Sequence, residues 1–226
     1  MTGKTPIVLA IDIGGSHVKI MSSAQGEERR AVSGPGMNAA AMADAVEQLA
    51  KGMAYDVIAM GYPGPVIHNR ILSEPHNLAK GWVGFDFAKR FGKPVRIVND
   101  ALMQAIGSYQ GGRMLFLGLG TGLGAAMIAD HVALPMELAH LPYRKGRTFE
   151  DYLGEAGLEK RGDAKWKKDV FAAVAQLTAA LEPDYVVLGG GNVEKLTSLP
   201  PNVRRGDNAN AFKGGFALWL DPRLHV

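Results

Sequence analysis

Residues 7–19 of this chain read IVLAIDIGGSHVK and contain the most informative local pattern of the sequence. The run 7–13 is apolar and rich in β-branched residues, which predicts a buried strand. Gly14 and Gly15 end that strand in a tight turn, and residues 17–21 resume the strand pattern. The stretch therefore predicts a hairpin of two strands joined by a glycine turn.

The middle of the chain repeats this pattern. Residues 114–119 predict a strand, the letters GLGTGLG follow at positions 118–124, and residues 125–129 predict another strand. We interpret the similarity as an internal repeat, in which each half of the chain opens with a glycine-turn hairpin.

Strands and helices alternate along the rest of the chain. Short strands are predicted at 57–60, 95–98 and 185–188, helices at 39–53, 85–91, 101–109, 165–181 and 209–220, and a loop at 199–207. This alternation predicts an α/β fold with partly parallel sheets. Residues 110–113 (QGGR) mark the junction between an N-terminal lobe, 1–110, and a C-terminal lobe, 111–226, whose last helix could pack back on the first lobe.

The composition excludes several classes of protein. Of the 226 residues, 47% are apolar and 21% are charged, proportions typical of a globular protein. With no cysteine, the chain can form no disulfide, thiolate metal site or catalytic thiol. The formal net charge of +3 suits an anionic ligand and does not call for nucleic acid. No long apolar run or signal-peptide core is present, so we expect a cytoplasmic protein with no membrane partner.

Three glycine clusters, each directly after an apolar strand, are candidate phosphate sites. Exposed N–H groups in such turns form concave anion sites, although any one cluster alone is more simply a hairpin turn. The chain lacks the P-loop signature, and the GLGTGLG stretch lacks the GxGxxG spacing of dinucleotide folds. The candidate residues are Gly14, Gly15, Ser16 and Lys19, then Gly120, Thr121 and Gly122, then Gly189, Gly190 and Gly191.

Asp12 immediately precedes the first glycine turn. Its charge would repel a phosphate group unless a cation lay between them. Protein-bound Mg²⁺ is typically held by one or two carboxylates together with phosphate oxygens and water. The position therefore predicts Asp12 as a magnesium ligand, and the alternative is a carboxylate that only stabilises the turn.

Asn99 and Asp100 stand between a predicted strand and a predicted helix. Ligands in α/β folds bind at such strand ends. A carboxylate placed there can accept the proton of an attacking hydroxyl group, and an asparagine offers both a donor and an acceptor. The alternatives are that Asp100 caps the helix and that Asn99 is a turn residue.

Taken in order, these motifs resemble those of the ROK family, a branch of the actin-like sugar kinase superfamily. The set comprises DIGGS at 12–16, GYPGP at 61–65, NDA at 99–101, LGLGTGLG at 117–124, ELAH at 137–140 and GGG at 189–191. The resemblance covers about residues 7–220, and within the family the chain looks most like the polyphosphate glucokinases. It implies an α/β, actin-like (ribonuclease H-like) fold of two lobes with a cleft between them.

The resemblance also implies an activity and its residues. It implies a kinase, expected to be a homodimer, that moves a phosphoryl group from ATP or polyphosphate to the 6-hydroxyl of glucose or a related sugar, with Mg²⁺. Asp100 matches the catalytic base of the family. The sugar contacts that it implies are Asn77, Asn99, Asp100, Glu137, His140 and Glu150. The first two glycine clusters would hold the phosphates, and the third would lie near the nucleoside or the distal end of the donor.

The chain departs from the family in the stretch after ELAH. Many members hold a structural zinc there with three cysteines and a histidine, whereas this chain reads YRKGRT at 143–148, so no structural zinc is expected. The zinc-free polyphosphate glucokinases share this lack. Ser16 stands where threonine is usual, and it keeps the hydroxyl group.

The sequence leaves the phosphate donor and the acceptor open. ATP would need a base pocket near Gly191 and residues 208–212. Polyphosphate would prefer a basic groove, or these basic residues are simply a solvated surface: Arg144, Lys145, Arg147, Lys160, Arg161, Arg204 and Arg205. Alternatives to a glucokinase are a kinase for mannose, fructose or an N-acetylated hexosamine, and a non-catalytic sugar sensor on the same fold.

Overall fold

Two five-stranded sheets of the same topology make up the structure, a computed structural model that describes residues 4–226. The first sheet contains β1 (Val8–Ile13), β2 (His17–Ser22), β3 (Glu28–Val32), β4 (Val57–Tyr62) and β7 (Val95–Asn99), and two short strands beside it, β5 (Val66–Ile67) and β6 (Arg70–Ile71), form a hairpin. The second contains β8 (Arg113–Leu119), β9 (Leu123–Ala129), β10 (Val132–Met136), β13 (Tyr185–Gly189) and β14 (Val203–Arg205), with a hairpin of β11 (Pro142–Arg144) and β12 (Arg147–Thr148). Residues 1–3 of the predicted N-terminal lobe lie outside the described residues.

Seven helices accompany the sheets within the described residues. They are α1 (Ala39–Leu49), α2 (Phe87–Phe91), α3 (Asp100–Ser108), α4 (Phe149–Leu153), α5 (Glu155–Arg161), α6 (Asp163–Leu181) and α7 (Asn210–Leu220). Two short 3-10 turns, Leu138–His140 and Gly191–Lys195, follow β10 and β13.

The predicted internal repeat is confirmed by the order of the strands. The first sheet runs β3-β2-β1-β4-β7 and the second runs β10-β9-β8-β13-β14. In each sheet, the first two strands of the half pair antiparallel across a glycine turn, and the third strand adds antiparallel at one edge. The two remaining strands add in parallel on the other side. Both predicted hairpins therefore form, and their turns lie at corresponding strand ends of the two sheets.

Helices α3 and α7 lie between the two sheets and join the lobes. Apolar side chains from both sheets, such as Val8 and Phe116, share one buried cluster with residues of these helices. The two helix backbones approach closely, because Gly107 and Gly214 have no side chain: an added Cβ would lie 1.9 Å from Asn210 O and 1.8 Å from Met103 O, respectively. These helices therefore set how the lobes face each other.

Two predicted helices are shorter in the structure. The helix predicted over 39–53 ends at Leu49. The helix predicted over 85–91 begins only at Phe87, because the Asp86 carboxylate accepts the Lys89 N–H and caps the helix there.

Seven strands were not expected from the sequence, namely β3, β5, β6, β10, β11, β12 and β14. Of these, β3, β10 and β14 lie at the edges of the five-stranded sheets. The segment 199–207, predicted as a loop, contains β14, which adds in parallel to β13. Strand β3 reads ERRAV and carries three charged residues, so it has no apolar run. Edge strands of this kind form because a neighbouring strand offers unpaired N–H and C=O groups, and this pairing needs no apolar run in the edge strand itself.

Candidate active site

A cleft of about 370 Å³ lies between the lobes, and both glycine turns open into it. This volume is in the range of small-molecule sites. The predicted residues that line it are Asp12, Gly14, Gly15, Asn77, Asn99, Asp100, Gly120, Thr121, Gly122, Glu137, His140, Glu150 and Gly190. Ser16, Lys19, Gly189 and Gly191 were also predicted and lie outside this lining.

The first turn presents free N–H groups beside the cleft. Gly14 N–H donates to His17 O at 2.9 Å and closes the turn. Within residues 4–226, the N–H groups of Gly15 and Ser16 donate to no protein acceptor. Two adjacent unpaired N–H groups form the kind of site that binds an oxyanion.

The second turn has the same property. Gly120 N–H donates to Gly122 O at 3.2 Å, while the N–H groups of Thr121 and Gly122 find no acceptor in the described part of the chain. An added Cβ on Gly120 would meet no atom within 4 Å, so the space beside this residue is open to a ligand. The carboxylate of Glu150 accepts Leu123 N–H at 3.1 Å at the end of the turn.

The third glycine cluster contributes only Gly190 to the cleft. Its φ angle is +82°, and an added Cβ would lie 2.3 Å from Leu119 O, so glycine is required there by the backbone itself. Gly189 ends β13 against the ring of Phe116. The third cluster therefore packs against β8 next to the second turn, and only Gly190 reaches the cleft.

The structure corrects the capping role considered for Asp100. Helix α3 is capped by Asn99, whose Oδ1 accepts Leu102 N–H at 3.1 Å and whose Nδ2 donates to Gly64 O at 3.2 Å. Asp100 is instead the first helical residue, and its carboxylate accepts Ala101 N–H at 2.8 Å. Because the Asn99 side chain caps the helix, the Asp100 carboxylate is not needed as the cap and lines the cleft.

Burial raises the pKa of Asp100 to about 7, and the nearby charge of Asp12 adds to the increase, whereas the Ala101 N–H opposes it. The same cause raises the pKa of Asp12 to about 6, with Lys19 acting in the opposite direction. A carboxyl group whose pKa lies near neutrality can gain and release a proton at physiological pH. Perturbed groups of this kind in a cleft are typical of functional sites.

The cleft suits a cation that arrives with an anionic ligand. Four carboxylates line it, those of Asp12, Asp100, Glu137 and Glu150, and among residues 4–226 no lysine or arginine does. Magnesium prefers such oxygen ligands. The described residues contain no group of three or more His, Asp or Glu placed to hold a metal alone, so the remaining ligands would come from phosphate and water.

Glu137 and His140 face the cleft from the second lobe. Glu137 precedes a single 3-10 turn, Leu138–His140, and His140 is its last residue; both side chains are more than half exposed. The His140 Nε2 atom lies 3.8 Å from Glu137 Oε2. Both side chains are therefore free to contact a polar ligand, as is the exposed Asn77, which also lines the cleft.

Three cleft features were missed by sequence reasoning. His76 and Gln104 line the cleft, and Gln104 stands one helical turn after Asp100 on α3. Glu74 fixes the loop that carries His76 and Asn77: its carboxylate accepts the N–H groups of Gly81, Trp82 and Val83 at 2.9, 3.0 and 3.3 Å. These bonds lower the pKa of Glu74. Only the spacing of Gln104 from Asp100 could have indicated its place in advance.

Four of the seven predicted basic residues hold the structure together. Arg144 and Arg161 both pair with the buried carboxylate of Asp169, at 3.5 and 2.5 Å. Arg205 donates to the carbonyls of the turn after β13, and Arg204 lies 4.1 Å from the Tyr185 ring centroid. The exposed remainder is Lys145, Arg147 and Lys160.

The chain was compared with known proteins. The family model described as the ROK family matches residues 8–134. No curated protein matches the chain in a sequence search. Within residues 4–226, every helix is too short or too polar to span a lipid bilayer.

Solved structures share the fold at low sequence identity. The polyphosphate/ATP-glucomannokinase of Arthrobacter sp. strain KM is 22% identical, with a TM-score of 0.80 over 95% of this chain and 98% of that chain. The ROK glucokinase of Streptomyces griseus, solved with glucose and AMPPNP, is 15% identical, with a TM-score of 0.78 over 95% and 99%. The ROK hexokinase of Thermus thermophilus is 20% identical, with a TM-score of 0.69 over 95% and 98%. The likeness confirms the predicted actin-like fold of two lobes.

Proposed function

This chain belongs to the ROK family, and from that membership and the geometry of the cleft we propose that it is a sugar kinase. It transfers a phosphoryl group from ATP or polyphosphate to the 6-hydroxyl of glucose or a closely related hexose. One observation carries the proposal: Asp100, with its pKa raised to about 7, lies in the same cleft as two turns with unpaired N–H groups.

Asp100 is the general base of the proposed reaction. A sugar hydroxyl is a poor nucleophile at neutral pH, and a carboxylate beside it accepts its proton as the oxygen attacks the phosphorus atom. Such catalysis is worth about 10²–10⁴-fold. The side chains that line the cleft and would orient the sugar through its other hydroxyl groups are those of Asn77, Asn99, Glu137, His140 and Glu150.

The two glycine turns would hold the donor's phosphates. Phosphoryl transfer depends mainly on positioning and on neutralising charge. The four N–H groups at the tips of the turns supply donors, and Asp12 would hold Mg²⁺ bound to the phosphates. When bound, the ion neutralises charge on the transferred group. Closure of the lobes would exclude water, which competes with the sugar as acceptor.

Both donors remain in the proposal. The internal contacts of Arg144, Arg161, Arg204 and Arg205 remove most of the basic groove that polyphosphate would use. A polyphosphate tail leaving the cleft would meet the exposed Lys145 and Arg147 at the tip of the β11–β12 hairpin. ATP would place its base near Asn208, whose side chain lies 3.5 Å from Gln104 of the cleft lining.

The proposal is tested with purified protein, Mg²⁺ and a matrix of acceptors and donors. Glucose, mannose, fructose and N-acetylglucosamine are each supplied with ATP and with polyphosphate, and sugar phosphate is measured by mass spectrometry. We expect glucose or mannose to be phosphorylated with at least one donor. If no pair gives sugar phosphate while glucose still binds, the protein is a sugar sensor and the kinase proposal is wrong.

Glu74→Ala should raise the KM for sugar about tenfold and leave kcat within about twofold, since a charged group's hydrogen bonds hold the loop. The loop carries Asn77, whose Cβ would lie 3.3 Å from a Cβ added to Gly15. Loss of the three bonds from Glu74 should therefore displace a sugar contact while leaving Asp100 in place. Steady-state kinetics with varied sugar concentration measures both constants.

Asp86→Ala is the matched control for this variant. It removes a carboxylate that accepts a backbone N–H a few residues further along the chain, at the start of α2. We expect its sugar KM to stay within about twofold of the wild type, because the lost cap costs helix stability alone. Equal sugar KM values in the two variants would contradict the role of Glu74.

A further inference from the structure

We propose that Ser33 and Asn192 are positioning residues for the phosphate donor. Each holds a carbonyl of one glycine turn away from the cleft, so that N–H groups of that turn face it. The inference rests on the proposed function, because it takes the two turns to hold the donor's phosphates. Neither side chain belongs to the motifs of the resemblance, and neither lines the cleft.

The geometry of the peptide group links the two polar atoms of each turn. In a trans peptide the C=O and N–H bonds point in opposite directions across one rigid plane. A donor that holds the carbonyl of one residue therefore also directs the N–H of the next residue to the other side.

In the first turn, this donor is the hydroxyl of Ser33, which donates to Gly14 O at 2.6 Å. That carbonyl shares its peptide plane with the N–H of Gly15, which has no acceptor among residues 4–226. Gly15 lines the cleft and Ser33 does not, so the N–H of Gly15 lies on the cleft side. The backbone N–H of Ser33 holds Ser16 O at 2.9 Å and anchors Ser33 to the turn.

In the second turn, Asn192 has the corresponding place. Its Nδ2 donates to Gly120 O at 3.3 Å, and Glu155 N–H reaches the same oxygen at 3.0 Å and Thr121 O at 3.2 Å. These two carbonyls share their planes with the unpaired N–H groups of Thr121 and Gly122, and both residues line the cleft. The second turn thus repeats the arrangement of the first, with one additional backbone donor.

We call the hydrogen bonds from Ser33 and Asn192 to the turn carbonyls the bracing of the turns. This bracing matters because peptide groups between glycines rotate easily. The plane between Gly14 and Gly15 has no Cβ on either side, so rotation meets little steric resistance. A rotated plane would turn a carbonyl oxygen toward the phosphate and replace attraction by repulsion. In the described chain no lysine or arginine lines the cleft, so no cationic side chain there would compensate for a lost N–H group.

Ser33→Ala should raise the KM for the phosphate donor about tenfold, the worth of one hydrogen bond, and leave the sugar KM within about twofold. Asn192→Ala should raise it only about threefold, because Glu155 N–H still holds Gly120 O. Ser33→Thr keeps the hydroxyl and should restore the donor KM. The measurements are steady-state kinetics with each substrate varied, and calorimetric binding of tripolyphosphate with Mg²⁺.

Ser198→Ala is the matched control, because this exposed serine meets Lys167 Nζ at 3.0 Å, away from the cleft. If Ser33→Ala matches this control in donor KM and in tripolyphosphate affinity, the bracing role is wrong. The role also fails if both KM values rise together and Ser33→Thr does not restore them, since that pattern reports general loss of structure.

The kinase proposal and the bracing role can fail separately. A wild-type protein that phosphorylates sugar, with variants equal to the control, rejects the bracing role and keeps the proposed function. A wild-type protein that phosphorylates no sugar and binds no tripolyphosphate rejects both. If tripolyphosphate binds without any turnover, and Ser33→Ala weakens that binding about tenfold, the bracing role stands and the kinase proposal fails.

Discussion

Asp100→Asn should reduce kcat by about 10²–10⁴-fold and leave the dissociation constant for sugar within about tenfold. Asparagine has the shape of the carboxyl group and can still accept the Ala101 N–H, but it cannot take the proton of the sugar hydroxyl. The loss should therefore fall on the chemical step. Stopped-time assays for sugar phosphate and calorimetric titration with sugar measure the two quantities.

The pH dependence of the wild type checks the same role. Because burial raises the pKa of Asp100 to about 7, kcat/KM should rise through neutral pH and level off above it, as the carboxylate becomes ionised. The residual activity of Asp100→Asn should lack this rise. Asp86→Asn serves as control, because it makes the same exchange at a helix cap outside the cleft and should keep both activity and pH profile.

Stability should change in the opposite direction to activity. The folded-state pKa of Asp100 lies above its unfolded value, so the stability due to its proton is complete below the unfolded pKa and is lost as the pH rises through about 7. Asparagine mimics the protonated form at every pH. The Asp100→Asn variant should therefore have a higher free energy of unfolding than the wild type at pH 8. The difference should be at most about 1.4 kcal/mol per unit of pKa shift and should vanish near pH 4.

Kinase activity of Asp100→Asn within tenfold of the wild type would disprove the role of Asp100.

Gly214→Ala should destabilise the fold by about 3 kcal/mol or more. The added Cβ would lie 1.8 Å from Met103 O, a backbone atom of α3 that cannot rotate away. Helices α3 and α7 would have to separate, and the buried cluster that they share with both sheets would open. Urea unfolding followed by tryptophan fluorescence measures the change, since Trp219 on α7 donates to Ile58 O of the first sheet.

Two further Gly→Ala variants serve as comparisons for the loss of stability in Gly214→Ala. Gly36→Ala adds a Cβ with no atom within 4 Å and should leave the free energy of unfolding within about 0.5 kcal/mol. Gly215→Ala meets the Ala10 side chain at 2.7 Å, so its cost should lie between the other two. If Gly214→Ala unfolds at the same urea concentration as Gly36→Ala, the close packing of the two helices does not hold the lobes together.

The architecture was predictable because its signals are local. The apolar run of β1, the glycines that end it and the strand pattern of β2 follow one another directly in the chain. The second half repeats this order in β8, its glycine turn and β9. Local sequence also brought Asp100 to the end of β7, next to a helix. The alternative role of Asp100 as the helix cap was wrong, because the Asn99 side chain caps the helix and leaves the Asp100 carboxylate in the cleft.

The functions of several polar residues depend on partners that the sequence does not place beside them. The sequence left Arg144 and Arg161 open as part of a basic groove for polyphosphate or as a solvated surface, whereas both side chains pair with the buried carboxylate of Asp169, 25 residues beyond Arg144. Glu74 has three backbone partners that lie seven to nine positions further along the chain, and these contacts identify it as the anchor of the Asn77 loop. Charge alone predicts a ligand as readily as it predicts an internal ion pair.

The two glycine-turn hairpins, the α/β class and the strand-end positions of Asp12 and Asp100 follow from the amino-acid order alone, because strand, turn and helix signals act between neighbours in the chain. Which polar groups remain free depends on the packing of distant segments. The Ser33 hydroxyl reaches Gly14 O across 19 positions and Asn192 reaches Gly120 O across 72, and these contacts direct the unpaired N–H groups. Hydrogen-bond satisfaction is a property of the whole packed molecule, since every group that finds a protein partner is withdrawn from the ligand.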